Sequence, residues 1–537
     1  MAIRLVYFLL FLGTVAFAAS YDLPLLFIRT NGQTIPDEPK ITATMRVLDE
    51  GENAPGDSAK GTLYNIGIET RGQTSASFDK KGYGFEIHDS AGNSLEAPLL
   101  GLPDGDDWVL HGPYIDKTLI RNAIAHYLYQ QTGRYSPRFR FVELYLNGSY
   151  NGVYLLLEKI KRDKNRVPVS KLKEDSGEND ALTGGYIFRI DKSDDINSEG
   201  FKSSDGLQFL YHYPTKDNIS AAAKTYLQNT VNNFEKLMDA GNWNDVNTGY
   251  SSVIDVDAAV DYILHEEILK NSDAYLCSFY MFKDKNSKGG KIQFGPPWDF
   301  NLAIGAVSYN NNMDTTGWQT EQNMTTGTYF IAPWIKKIFE DAAFQAKMKA
   351  RWAELRASVW HTKNIDAFID SLSGVLRNGS VRNFDRWKVL GSATCANMGT
   401  GWFTYNFCYN GYSEPTWDAE VEHLRGWFKS RIHWIDGQFG FTEPAESMTK
   451  TEMVVRQPKT IQTGDIICIR TATGFYISAS RAGTLTLYNL NGECIWHTSV
   501  PQGEQQVTLP QALRKGDWVV KMNGRIFTGS LRNERAP

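Results

Sequence analysis

Between two strand-like runs, Phe139 to Leu146 and Tyr150 to Glu158, stands the pair Asn147-Gly148. A two-residue type I′ connection needs positive φ at both central positions, and Asn-Gly supplies them at least cost. The segment therefore reads as an antiparallel hairpin, the clearest in the chain. Its strands need neighbours, and the preceding sequence offers them in Leu23 to Ile28, Ile41 to Val47 and Leu63 to Thr70. A polar stretch, Asp49 to Lys60, reads as an edge loop. The loop Arg71-Gly72-Gln73-Thr74-Ser75-Ala76-Ser77 leads into Lys81-Gly82-Tyr83-Gly84-Phe85-Glu86-Ile87. Alternation there puts Lys81, Tyr83, Phe85 and Ile87 on one face. A lysine on an apolar face is costly unless it meets an anion. Lys80 falls on the opposite face, as a solvated neighbour.

Asp116 to Gly133 reads as a helix with Ile120, Ile124, Tyr127 and Leu128 as its apolar stripe and Gly133 as its stop. The basic run Lys159 to Arg166 reads as a solvated turn. More strands are expected over residues 185–215, including Gly185 to Ile190, with Asp191 as a turn residue. Helices are expected at Ala221 to Leu237 and Val256 to Lys270, the second capped by Asp255 or Asp257. Four more follow: Trp334 to Phe339, Phe344 to Val359, Ile365 to Leu376 and Ala419 to Gly437. Residues 441–462 lack hydrophobic periodicity and read as a linker. Beyond it, short strands bounded by turn residues predict a small β-sandwich. The fold class is thus α+β, with a β-rich first part, a helical second part and a small all-β end. The expected divisions are 1–18, 19–440, 441–462 and 463–537.

With 537 residues the chain is too long for one core. A net charge of -5 argues against nucleic acid as a partner, because phosphate neutralisation needs a basic face. The aromatic share of 13% fits a large aromatic core. Arg4, the apolar run Leu5 to Leu12 and Ala16-Phe17-Ala18 have the layout of an export signal, so the mature protein is expected to begin near Ala19 and leave the cytoplasm. That run is too short for a membrane span, and no later run approaches about 18 apolar residues. Of the five cysteines, Cys395 with Cys408 and Cys468 with Cys494 are local pairs that either form disulfides or remain buried thiols, leaving Cys277 free. His265-Glu266-Glu267 resembles the start of a zincin helix, but Leu269 stands where the second histidine is needed.

The chemistry concentrates at Asp273, in Asn271-Ser272-Asp273, and Asp299, in Pro297-Trp298-Asp299. Both fall where a regular element gives way to a loop. Two carboxylates converging on one cleft repel unless a cation lies between them. Mg²⁺ suits such a site, since it takes one or two carboxylates and leaves its other positions to water and phosphates.

Taken together, Arg71-Gly72 with its Ser/Thr loop, Lys81, Arg121-Asn122, Asn147-Gly148, Gly152-Val153-Tyr154, Glu158-Lys159-Ile160, Asn271 with Asp273, and Pro297-Trp298-Asp299 resemble the spore-coat CotH kinase family, in its exported bacterial branch. The resemblance covers roughly residues 22–440. It implies an atypical protein-kinase-like fold that binds ATP with Mg²⁺ or Mn²⁺ and phosphorylates serine or threonine of a secreted or surface protein. By position it implies that Arg71, Gly72 and Ser75 cover the phosphates and that Lys81 pairs with them. Glu158 would lie near the nucleotide, Asp273 would serve as the catalytic aspartate, and Asp299 would hold metal. Ser278 stands where kinases place a metal-holding Asn, and the helix from Lys117 to Gly133 lacks the acid that usually pairs with the strand lysine. These departures also suit a non-catalytic, pseudokinase-like surface protein. Nucleotidyl transfer is a third possibility. Leu487 to Gly492, Val507 to Pro510 and Gly516 to Lys521 resemble C-terminal sorting modules, implying contact with export machinery.

Overall fold

The computed structural model describes residues 21–445, apart from 52, 73–74, 173–179, 194, 323–324, 327–328, 399–404 and 411–412, and, from 466 to 531, a set of strands with a few flanking residues. The proposed export signal and most of the linker lie outside the described residues.

The first part is a closed barrel. Its strands are β1 (Leu25–Arg29), β2 (Ile41–Leu48), β3 (Thr62–Arg71), β4 (Gly82–His88), β7 (Asp107–His111), β8 (Phe139–Leu146) and β9 (Ser149–Glu158), in the order β1-β2-β3-β4-β7-β9-β8. A short hairpin, β5 (Ala97–Leu99) with β6 (Leu102–Gly105), interrupts the run. The barrel closes where β1 pairs in parallel with β8, Leu25 opposite Glu143. The β8–β9 turn is as the sequence predicts, with Asn147 at φ 51 and Gly148 at φ 85. Strand β9 is apolar at consecutive positions because both of its faces are covered. Tyr154 and Leu156 fill the barrel with Ile66, Phe85 and Leu110, whereas Val153, Leu155 and Leu157 join the helical core.

The second part mixes helices with a five-stranded antiparallel sheet. In chain order come α1 (Arg121–Gln131), β10 (Tyr186–Ile190), α2 (Ile196–Glu199), β11 (Gly200–Lys202), β12 (Gln208–Tyr213), α3 (Ala221–Asp239), α4 (Val256–Leu269), β13 (Phe279–Lys283) and β14 (Ile292–Phe294). The sheet runs β11-β12-β10-β13-β14. Asp255 caps α4 by accepting from the Ala258 N–H. After α4 come α5 (Pro333–Glu340), α6 (Ala342–Ala357), α7 (Thr362–Arg386) and α8 (Trp417–Phe439). Among the described residues no helix is long and apolar enough to cross a membrane. Residues 466–531 contribute a three-stranded and a four-stranded sheet.

Several expectations are corrected. The first helix starts at Arg121, because Asp116 folds the preceding turn by accepting from the N–H groups of Thr118 and Arg121. Helix α7 runs ten residues past Leu376 to Arg386, sustained by tertiary contacts rather than by apolar period. Its Arg382 pairs with Glu143, which is fully buried, and its Asn383 accepts from the Val153 N–H. The basic run is not simply solvated, since Arg166 is buried against Glu158 and the Asp104 carbonyl. Cys395 and Cys408 form a disulfide, but Cys494 is a free, exposed thiol, so the pair with Cys468 is absent; Cys277 is free and buried.

Lys80 is the largest correction. The strand begins at Gly82, so alternation says nothing about residue 80. Its side chain is 1% exposed and enters the seam between barrel and α7. There the ammonium donates to the Val153 carbonyl at 2.6 Å and to Asn383 Oδ1 at 2.8 Å, with the Tyr154 ring 5.0 Å away. Burial lowers its pKa well below that of a free lysine.

Candidate active site

Two loops leave the second part on the same side. The first follows α4, whose last turn is ended by Lys270 in the left-handed conformation, φ 46. The chain then turns through Asn271 and Ser272 to Asp273, with the Asp273 N–H donating to Asn271 Oδ1. The second follows β14 and carries Pro297-Trp298-Asp299. Cross-bonds tie the loops together: Ser272 Oγ donates to the Leu302 carbonyl at 3.0 Å, and the Ile304 N–H to the Leu269 carbonyl at 2.8 Å. The structure therefore brings Asp273 and Asp299 to one place.

Asp299 adopts φ 66, a conformation an aspartate holds only when its surroundings impose it. The constraint comes from α1. Asn122 Oδ1 accepts from the Phe300 N–H at 2.9 Å, and the buried Arg121 guanidinium, paired with Asp116 at 2.7 Å, donates to the Ala303 and Ile304 carbonyls. Arg121-Asn122 thus positions the Asp299 loop instead of supplying a partner for Lys81. Replacing Asn122 by Ala leaves a buried N–H without its acceptor and is expected to cost about 1–3 kcal/mol of stability. The same variant should lower any activity that needs Asp299 in place; unfolding and turnover measured on one preparation check both.

The electrostatics of the pair are unfavourable to charge. Asp273 is partly buried, and Asp299 is exposed, although the surrounding chain withdraws part of its carboxyl's hydration. Burial, then repulsion from Asp273, lifts the Asp299 carboxyl from 3.8 to about 6, with Arg71 opposing the rise. Asp273 is also raised, first by burial, with Lys192 opposing and Asp191 reinforcing. Asp191 was expected to be only a turn residue. It follows β10, pairs with Arg189 at 2.9 Å, and adds its field to both carboxylates. The sequence marks it only as a carboxylate directly after the strand-like run Gly185 to Ile190.

The loop from the barrel faces the Asp299 side. The Arg71 guanidinium lies over the Trp298 ring, 5.2 Å from its centroid. Gly72 sits at φ 100, and a Cβ there would meet Ser75 Oγ at 1.9 Å, so the loop closes only with glycine. Lys81 precedes β4 and donates to the Ala76 carbonyl at 2.6 Å, which braces the Ser75–Ser77 turn. Arg71, Gly72, Ser75 and Lys81 therefore belong to one loop, adjoining Asp299 through Trp298. Glu158 does not join them. Its carboxylate is fully buried and taken up by Arg138, at 2.7 and 2.8 Å, with Arg166 at 3.4 Å. Ser278 is partly buried at φ 52 on the way from Asp273 to β13.

Among the described residues no three His, Cys, Asp or Glu side chains cluster closely enough to share an ion. The donor set that is present, two neighbouring carboxylates of which Asp273 raises the pKa of Asp299, fits a magnesium- or manganese-type ion. Such ions take few protein ligands and complete their shell with water and phosphate.

Comparison with curated proteins gave no match. The sequence profile described as CotH kinase protein matches residues 68–435, from the end of β3 through most of α8 and more than half of the chain. The matched span contains both aspartate loops, the Arg71 loop and the hairpin. The chain belongs to the CotH kinase protein family.

Proposed function

We propose that the protein is an exported kinase that transfers the γ-phosphoryl group of ATP to a serine or threonine hydroxyl of a secreted or surface protein. The observation that carries this reading is the convergence of the cross-bonded Asp273 and Asp299 loops with the donor-rich Arg71 loop. Phosphoryl transfer requires mainly positioning and charge neutralisation, and these are the parts it uses. In this reading Asp273 orients the acceptor hydroxyl and receives its proton as the new P–O bond forms and the β–γ bridge breaks. Arg71, the Gly72 and Ser75 backbone, and Lys81 hold the phosphates. Asp299, with Asp273 and the Ser278 hydroxyl, would hold Mg²⁺ or Mn²⁺, which supplies charge neutralisation at the phosphates. Glu158 acts at a distance, by fixing the end of β9. Residues 1–18 would direct export, and the strands of residues 463–537 would form a sorting module.

One observation favours a non-catalytic scaffold instead: the Lys81 ammonium already has the Ala76 carbonyl as a partner. Incubation with γ-labelled ATP and Mn²⁺ separates the readings. Label is expected in protein substrate with wild type and not with Asp299→Asn, and α-labelled ATP should leave no mark. Protonation of Asp299 competes with the metal, so the Mn²⁺ concentration needed for half-maximal transfer should rise as pH falls. A wild type that transfers nothing and shows no thermal shift with ATP and Mn²⁺ would favour the scaffold.

A further inference from the structure

Lys192 borders the cleft, yet phosphate binding by Arg71 and Lys81 leaves it unused. It stands two residues past Ile190, the last residue of β10, which pairs with Phe279, the first of β13. The two strands are antiparallel, so Asp191 and Lys192 leave the sheet at the end where Ser278 and Cys277 enter it. The Cys277 N–H donates to the Asp273 carbonyl at 3.1 Å, closing the turn between Asp273 and β13. Lys192 is thereby set beside the turn that carries Asp273.

Three successive N–H groups fix its backbone there. That of Asp191 donates to the Gln208 carbonyl at 3.4 Å, that of Lys192 to Asp191 Oδ1 at 2.9 Å, and that of Ser193 to Gln208 Oε1 at 3.1 Å. The second Asp191 oxygen accepts from Arg189 Nε at 2.9 Å, so Asp191 already has a counter-ion. The Lys192 side chain is half-buried. Its charge opposes the rise that burial imposes on the Asp273 carboxyl, and it acts on Asp299 as well, where the Arg71 charge is the larger of the two. The pair of aspartates is thus flanked by two cations, Arg71 on the Asp299 side and Lys192 on the Asp273 side. An ammonium on a fixed turn is preorganised charge, which counts most where negative charge gathers during a reaction. In phosphoryl transfer that place is the three equatorial oxygens of the moving group.

We propose that Lys192 is a further catalytic residue, its ammonium meeting the transferred phosphoryl group on the Asp273 side of the cleft while Arg71 meets the nucleotide phosphates on the other. The bond from the γ-phosphorus to the bridging oxygen breaks, its electron pair leaving with ADP. The acceptor oxygen forms the new bond and its proton passes to Asp273. Lys192 keeps its own protons throughout and only donates hydrogen bonds. This role rests on the kinase reading, but the placement of the charge does not.

A double-mutant cycle on the full chain, free of metal and nucleotide, tests the placement by thermal unfolding. Lys192→Met is expected to lower the melting temperature by several degrees in wild type and by much less in Asp273→Asn, since only charges that face each other couple. Equal shifts in the two backgrounds overturn the placement and the proposal with it. Transfer from γ-labelled ATP with Mn²⁺ is the functional arm. Lys192→Met should lower kcat by about 10²-fold or more, with kcat/KM falling equally, as for a contact made only in the transition state. Lys192→Arg, which keeps the charge, should recover much of the rate. A rate unchanged in Lys192→Met, or lost equally in Lys192→Arg, overturns the catalytic role. Coupling in the cycle with no transfer by wild type upholds the placement and rejects the kinase reading, and the catalytic role with it.

Discussion

Asp299→Asn is expected to lower phosphoryl transfer roughly 10³-fold, about 4 kcal/mol of barrier, and yet to make the metal-free protein more stable at neutral pH. The two effects have one origin. In the folded chain the Asp299 carboxyl holds its proton up to about pH 6, whereas an unfolded aspartate releases it near pH 3.9. Between those values the folded state binds more protons, so this group's contribution to stability falls as pH rises through that window. The amide carries no charge to repel Asp273 and escapes the penalty. Melting scans at pH 5 and pH 7 without metal should therefore converge for the variant and diverge for wild type. A variant that loses stability at both pH values would show that the carboxylate is structural rather than functional.

The largest stability loss is expected at Arg431→Met. Arg431 and Glu267 are both fully buried and face each other at 3.3 Å. Arg431 also donates to the Gly317 and Glu267 carbonyls, and Glu267 accepts from the Gln319 and Thr320 N–H groups. Removing the guanidinium strands a buried carboxylate, at a cost of about 3–5 kcal/mol. Glu267 is raised even with its partner present, burial being the main cause. Without Arg431 it should take up a proton more readily still. The loss should therefore shrink as pH is lowered, which denaturant unfolding at pH 5 and pH 8 would reveal. A pH-independent loss would mean that packing, not charge, makes the contact matter.

What could be read from sequence was local. Asn147-Gly148 states its own backbone geometry, and the cap at Asp255 and the alternation of β4 need no distant partner. Asp273 and Asp299 stood out because they sit at element ends with distinctive neighbours. The misses are contacts between residues far apart in the chain. Lys80 owes its burial to Val153 and Asn383, and Asn383 lies on a stretch of α7 that hydrophobic period does not reveal. Asp191 joins the carboxylates only because β10 and β13 are sheet neighbours. Arg121-Asn122 was noticed as a motif, but its task, gripping the backbone next to Asp299, became visible only once α1 and that loop were side by side.

The barrel's closure through β1 and β8 also limits how this protein can meet others. Each of its strands has hydrogen-bonding neighbours on both sides, so that part offers no free strand edge for an incoming peptide to extend or for a second copy to pair with. The outer side of β14 in the five-stranded sheet is taken as well, because Ile292 exchanges backbone hydrogen bonds with Val253 and Asp255. β14 leads into Pro297-Trp298-Asp299, so that loop springs from a strand held on both sides and not from an edge open to a peptide.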